Sequence, residues 1–317
     1  MTTSLNTARA AQTPPALTTR VRQGIGERIA PYAYIAPFFL IFAVFGLFPL
    51  LFTFYVALFD WNPIGEHVFI GFGNFSRLFD DARFWNAAGN TISIWLLSTV
   101  PQLVLALGLA HLLNHARLRL AVFFRMSMLV PYITSVAATT IVFAQMFDRD
   151  YGLLNWLLGF AGVEPIDFKQ SVWGSHVLIA VMVTWRWFGY TTLLYLASLQ
   201  AIPRAIYEAA AVDGAGGWKQ FRHISIPSLR PVIVFTIVTS TIGGLQIFTE
   251  PLLVSRSAPL TCGPIRQCQT LTLFLYEQGF GQFQFGYGAA IGVALFVLVV
   301  AVATLNYVLS TRIRPER

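Results

Sequence analysis

Charge is scarce in this chain. Of its 317 residues, 11% are Asp, Glu, Lys or Arg, where a soluble domain carries about 25%. So few charges cannot cover a water-exposed fold of this length, which argues against a cytosolic enzyme. Lysine is nearly missing: Lys169 and Lys219 stand against 19 arginines, a bias we read as the codon usage of a GC-rich genome. The two cysteines, Cys262 and Cys268, cannot build a disulfide scaffold or a four-ligand zinc site. No Walker-type phosphate loop occurs. The nearest fragment, Gly216-Gly217-Trp218-Lys219-Gln220, lacks both the spacing and the hydroxyl after Lys, so the chain cannot cradle ATP phosphates by itself. His-Glu-x-x-His and Gly-x-Ser-x-Gly are absent, which removes the usual zinc and serine hydrolases. His111 and His115 lie one turn apart, but no Glu or Cys accompanies them. They read as an interfacial polar cap, not a metal site.

What the chain has is apolar length. Its hydrophobic fraction is 56%, its aromatic fraction 15% and its mean hydropathy +0.64, so lipid is the solvent for most of it. Six runs reach the roughly 20 residues a spanning helix needs: about Tyr34–Phe59, Thr91–Leu113, Met126–Phe147, Val172–Leu199, Pro231–Val254 and Gly286–Leu309. Pro37, Pro49, Pro101 and Pro131 fall inside them and predict kinks, not breaks, because neighbouring helices can re-satisfy the freed carbonyls. The first run is too long for a signal-peptide core and reads as an uncleaved span. No internal repeat is visible, which gives no support to an inverted-repeat secondary transporter.

The net charge of +7 is scattered between apolar runs, which points to topology and not to nucleic acid. The N-tail (Arg9, Arg20, Arg22, Arg28), the loop with Arg117, Arg119 and Arg125, the loop with Arg204, Lys219, Arg222 and Arg230, and the C-tail (Arg312, Arg314, Arg317) together hold 14 basic residues. The other side holds six: Arg77, Arg83, Arg149, Lys169, Arg256 and Arg266. The first side is therefore cytoplasmic, with both termini inside. The expected organisation is a disordered cytoplasmic tail at 1–30, an all-α, six-span membrane domain at 31–311 and a short tail at 312–317. Cys262 and Cys268 then lie on the outer side, where oxidation is possible. The turn-prone Gly263-Pro264-Ile265-Arg266-Gln267 between them makes them a disulfide candidate.

The longest cytoplasmic loop, 201–230, is the informative one. Pro203 suits a first helical turn, the alanines after Glu208 favour helix, and Gly214 suits a helix stop. A second helical stretch, Trp218–Ile224, follows, and Ile226-Pro227 is expected to close the loop. Glu208-Ala209-Ala210, then Gly214, then Ile224 and Ile226-Pro227 resemble the EAA loop of binding-protein-dependent ABC importer permeases, with Ile226 where that family usually has Leu. The resemblance implies that Glu208, Ala209, Ala210, Gly214, Ile224 and Pro227 couple the permease to an ATPase. Tyr34-Ile35-Ala36-Pro37, Phe48-Pro49, Gly71-Phe72-Gly73-Asn74-Phe75, Asn90-Thr91 and Val130-Pro131-Tyr132 look like the sugar-transporting, MalF-like branch. The stretches 242–251 and 270–277 look most like cellobiose and cello-oligosaccharide permeases.

Sugar is held by hydrogen bonds and by aromatic rings on its C–H faces, so a pathway needs inward aromatic and polar residues. Arg186 lies 14 residues from Val172 and 13 from Leu199, near mid-depth, where an unpaired charge costs about 2.5–3.5 kcal/mol or more. It is either half of a buried structural pair or part of a water-filled cavity. Glu250 lies about 28 Å along a straight helix from Pro231, near the outer face, as an interfacial acid or a pathway residue. The family pattern implies Tyr132, Trp185, Phe188, Gly189, Gly244, Gln246 and Ile247 as further pathway residues.

The resemblance implies a permease subunit in a bacterial inner membrane with no catalytic residue, cofactor or metal of its own. ATP and Mg would sit in a separate ATPase dimer. A second homologous permease, an extracytoplasmic sugar-binding protein, the sugar and the bilayer complete the expected partners, and no nucleic acid is expected. The alternatives are an ABC permease for a non-sugar solute or a secondary transporter, the latter needing mid-helix carboxylates that the apolar runs lack.

Overall fold

The computed structural model describes residues 25–63, 65, 67–115, 121–255 and 258–312. Residues 1–24 and 313–317 of the two expected tails lie outside these, as do Arg117, Arg119 and Arg256 of the topology count. The chain divides into two compact units, Met1–Leu51 and Phe52–Arg317. Helix α1 (Ile25–Phe42) passes through a π-helical turn, Ala43–Leu47, into α2 (Phe48–Val56). A short antiparallel hairpin follows, β1 (Phe59–Trp61) with β2 (His67–Phe69), in the register Asp60 opposite Val68. The rest is helical: α3 (Gly73–Asp80), α4 (Ala82–His115), α5 (Ala121–Ile133), α6 (Val136–Met146), α7 (Leu153–Phe160), α8 (Val172–Gln200), α9 (Arg204–Val212), α10 (Gly217–Gln220), α11 (Ile226–Leu245), α12 (Thr249–Val254), α13 (Leu271–Tyr276) and α14 (Phe285–Arg312).

Among the described residues five helices are long and apolar enough to cross a membrane, or six if the bent pair α5–α6 is one span. That pair corrects the kink expected at Pro131: the two halves meet at 93°. Proline removes a backbone donor, the Thr134 hydroxyl turns back to the Val130 carbonyl at 2.6 Å, and Ser135 then takes an extended conformation, ψ 128°. The Thr134 N–H donates to the same carbonyl at 3.1 Å, and back-bonding of this kind bends helices.

Nor does Ile226-Pro227 close the cytoplasmic loop. The helix runs on from Gly217 to Leu245, with a π-helical turn at Phe221–Ser225 just before Pro227. Pro49 likewise follows a π-helical turn by two residues. A proline ring crowds the carbonyl four residues back, and widening the preceding turn relieves it.

Small residues let the spanning helices of the second unit approach closely, as packing in lipid requires. Ala106 and Ala110 of α4 bury against Tyr195 and Leu199 of α8 and Leu229 of α11. Leu271 and Phe274 pack with Tyr287, Ala290 and Ile291 of α14. A third cluster joins Ile94, Ile179, Met182 and Leu273 to the two cysteines. The Gly-Phe-Gly-Asn-Phe motif has a local role: Gly71 takes φ +56°, and the Asn74 amide donates to the carbonyls of Ala57 and Phe59 at 2.9 and 2.8 Å.

Candidate functional site

A cavity of about 310 Å³ opens inside the second unit, between α4, α5, α8, α11 and the turn into α12. The helical repeat of α8 decides what reaches it. Val183, Arg186, Trp187, Tyr190 and Thr191 share one face at the i, i+3, i+4 spacing, and all five line the cavity. Tyr132 comes from the end of α5, just before the 93° break, which turns it towards α8. Its ring stacks on Tyr190 at 4.9 Å and meets Trp187 edge-on at 5.3 Å. The polar wall is made by Thr99, Gln102, Thr191, Thr239 and Ser240, with the Gln102 amide donating to Thr191 at 2.9 Å.

Helix α11 ends at Leu245, and Gln246, Ile247 and Phe248 carry the chain across a non-helical step into α12. The straight helix assumed between Pro231 and Glu250 is therefore interrupted. Glu250 is buried in the cavity wall, with its carboxylate 3.7 Å from the Arg186 guanidinium. Gly244 is what lets α11 lie against the Trp95 ring, since a Cβ there would strike it.

Of the residues expected in the pathway, the structure brings together Tyr132, Arg186, Gly244, Gln246, Ile247 and Glu250. It places Trp185, Phe188 and Gly189 elsewhere. Trp185 and Phe188 lie on a second face of α8 with Val177, Val181 and Thr184, along an apolar groove shared with α4. Trp185 is 40% exposed. Gly189 is buried against the Met128 main chain, where a Cβ would overlap the carbonyl oxygen. Trp187, Tyr190 and Thr191 were missed as lining residues, although the 100° step per residue separates Trp187 from Trp185.

The cytoplasmic loop forms the second part of the site. Helix α9 buries none of its residues, and Ile206, Val212 and, further on, Trp218 are exposed apolar groups. Gly214 takes φ +78°, which ends α9, and the Ala215 N–H closes back on the Ala210 carbonyl at 2.8 Å. Glu208, Ala209 and Gly214 are exposed, Ala210 and Ile224 are half-buried, and Pro227 is exposed in the first turn of α11. The Tyr207 hydroxyl meets Ser225 at 2.9 Å and the Gln220 amide donates to the Ala215 carbonyl at 3.0 Å. The exposed α9 is thus tied to the start of a spanning helix.

At the opposite end, Cys262 and Cys268 form a disulfide, with Cα atoms 5.2 Å apart. Between them the Arg266 carbonyl accepts from Asn86 and Asn90 at 3.0 and 2.9 Å, and its guanidinium pairs with Glu277 at 2.8 Å. Burial pushes the Glu277 carboxyl up, but hydrogen bonds from Arg266 and Gln269 outweigh it and hold the pKa below its ordinary value. Asp81 behaves alike: burial opposes ionisation, yet bonds from Arg83 and Tyr287 bring it down to about 2. Thr91 accepts from the Leu271 N–H at 2.9 Å. The Asn90-Thr91 pair therefore anchors the outer loop to α4.

A polytopic helical fold with an internal cavity carrying polar groups and an exposed helix on a loop between spans fits a membrane permease. The chain belongs to the family described as binding-protein-dependent transport system inner membrane component, which matches residues 88–315. It is thus a permease subunit of the inner membrane and not an enzyme, with an all-α polytopic fold. It is 38% identical over 250 residues to the lactose transport system permease protein LacF of Rhizobium radiobacter, covering 78% of this chain and 83% of that one. It is 31% identical over 258 residues to the arabinooligosaccharides transport system permease protein AraP of Halalkalibacterium halodurans, covering 81% and 79%. A crystal structure of a bacterial alginate ABC transporter, in complex with a periplasmic protein bound to an alginate pentasaccharide, holds a chain of the same fold. Its TM-score is 0.77 at 21% identity, covering 91% of this chain and 98% of that one.

Proposed function

We propose that this chain conducts a sugar, in the form of an oligosaccharide, as one permease subunit of an ATP-driven importer. The observation that carries the proposal is the cavity among the spanning helices. It combines an aromatic cluster, Tyr132, Trp187 and Tyr190, with amide, hydroxyl and ion-pair groups. Apolar rings with a few placed polar groups are what a carbohydrate site needs, and the curated relatives are named for lactose and arabinooligosaccharides. ATP and Mg are held by a separate ATPase dimer, which docks on α9. Glu208, Ala209, Ala210 and Gly214 meet it, while Ile224 and Pro227 pass its motion into α11. A second, homologous permease completes the pathway, and a sugar-loaded binding protein delivers to the outer loop around Cys262 and Cys268.

The test is uptake by the assembled transporter in proteoliposomes, with its binding protein and a panel of lactose, cellobiose and arabinooligosaccharides. Cellobiose is the first sugar to try. Saturable, ATP-dependent uptake of one panel member is expected. Uptake driven by an ion gradient without ATP would point to a secondary transporter instead.

A further inference from the structure

The pair Arg186–Glu250 is under-satisfied for its burial. A guanidinium has five N–H donors and a carboxylate about four acceptor sites. Among the described residues, Arg186 has Glu250 as its one ionic partner, at 3.7 Å, well beyond the 2.7–2.9 Å of a charge-assisted hydrogen bond. The Arg186 Nε is buried with no hydrogen-bond partner. The two side chains are 21% and 10% exposed, and both face the cavity. Poorly bonded charges at that burial are costly, so their spare donors and acceptors are available to what enters.

We infer that Arg186 and Glu250 together read adjacent hydroxyls of the sugar and restrict the cavity to neutral substrates. One hydroxyl oxygen accepts from the guanidinium while its neighbour donates to the carboxylate, so a donor beside an acceptor matches a vicinal diol. The pair is neutral as a unit, and every other lining residue is uncharged. A uronic acid would set its carboxylate beside Glu250 in a low-dielectric site, with the one guanidinium already neutralised, and like charges so placed repel strongly. Acidic sugar would need a cation that this cavity does not offer. The rings of Tyr132, Trp187 and Tyr190 add stacking that is indifferent to charge.

This inference rests on the sugar reading above, and its test separates the two. The assembled transporter without binding protein is equilibrated with labelled cellobiose, with cellobiouronic acid, its glucuronic acid counterpart, and with monodeoxy cellobioses. The wild type should prefer cellobiose over the acid by about tenfold or more, and at least one deoxy analogue should lose a similar factor, because a site built to hydrogen-bond a hydroxyl rejects its absence. Glu250→Gln frees the Arg186 charge and should shift the acid-to-neutral ratio towards the acid by about tenfold or more. Arg186→Gln should shift it the other way. Equal binding of acid and neutral sugar by the wild type overturns the inference even if neither variant assembles. So does an unchanged ratio in both assembled variants. Binding of no sugar at all, with no uptake in the panel above, would instead defeat the sugar reading on which it stands.

Discussion

The rings of Tyr132 and Tyr190 stack at 4.9 Å with an interplanar angle of 15°, joining the end of α5 to the middle of α8 where the cavity opens. That contact depends on the break between α5 and α6 and on the face of α8 that carries Arg186, Trp187 and Tyr190. It therefore sets which side chains line the cavity.

The two tryptophans of α8 should part company. Trp187 belongs to the cavity and Trp185 to the apolar groove. Losing an aromatic platform costs about 0.5–1.5 kcal/mol beyond its area. Trp187→Ala should thus lower initial uptake rates several-fold, and Trp185→Ala should leave them close to wild type. Equal effects of the two substitutions would place the pathway on the wrong face of α8.

Gly189 should tolerate no side chain. Its α-carbon lies against the Met128 main chain, and backbone cannot yield as a flexible side chain can. Overpacking of this kind costs about 1–3 kcal/mol, so Gly189→Ala should lower the Tm of the assembled transporter. Gly243, whose Cβ position is open, is the control that should change little.

Both ends of the EAA-like segment should matter for coupling. Gly214 sits at φ +78°, which proline cannot adopt. Gly214→Pro should unmake the end of α9 and abolish uptake while the protein still inserts. Glu208→Ala should reduce uptake and substrate-stimulated ATPase activity together. Normal values of both in both variants would remove α9 from the coupling path.

The outer loop yields a redox and a pH test. The disulfide closes a short loop, worth about 2 kcal/mol by loop entropy, so Cys262→Ser should cost no more than a modest fall in Tm. Peptide mass spectrometry without reductant should find the two cysteines linked. The folded pKa of Asp81 is about 2, below its ordinary 3.8. Its stabilisation is present above the ordinary value and is lost as pH falls through the folded one. The Tm difference between wild type and Asp81→Asn should be steady above about pH 4 and shrink towards pH 2.

Much of this was legible in the chain. Apolar length located the spans, and Gly214 marked the end of the exposed α9, because lipid imposes length and a glycine stop imposes local geometry. The breaks were not legible. A proline in an apolar run reads the same whether the helix bends or parts, and the extended backbone at Ser135 that parts α5 from α6 carries no such mark in the sequence. The step at Gln246–Phe248, which interrupts the helix before Glu250 enters the cavity wall, was not legible either. Trp185 was chosen by family position, where the helical repeat from Arg186 to Tyr190 already favoured Trp187.

The most direct measurement is uptake of labelled sugar by proteoliposomes holding the assembled transporter, with ATP on the α9 side and sugar-loaded binding protein on the disulfide side. Uptake should require both and should vanish in Gly214→Pro. Sugar uptake that persists without ATP or without binding protein, or that survives Gly214→Pro, would contradict a permease driven through α9.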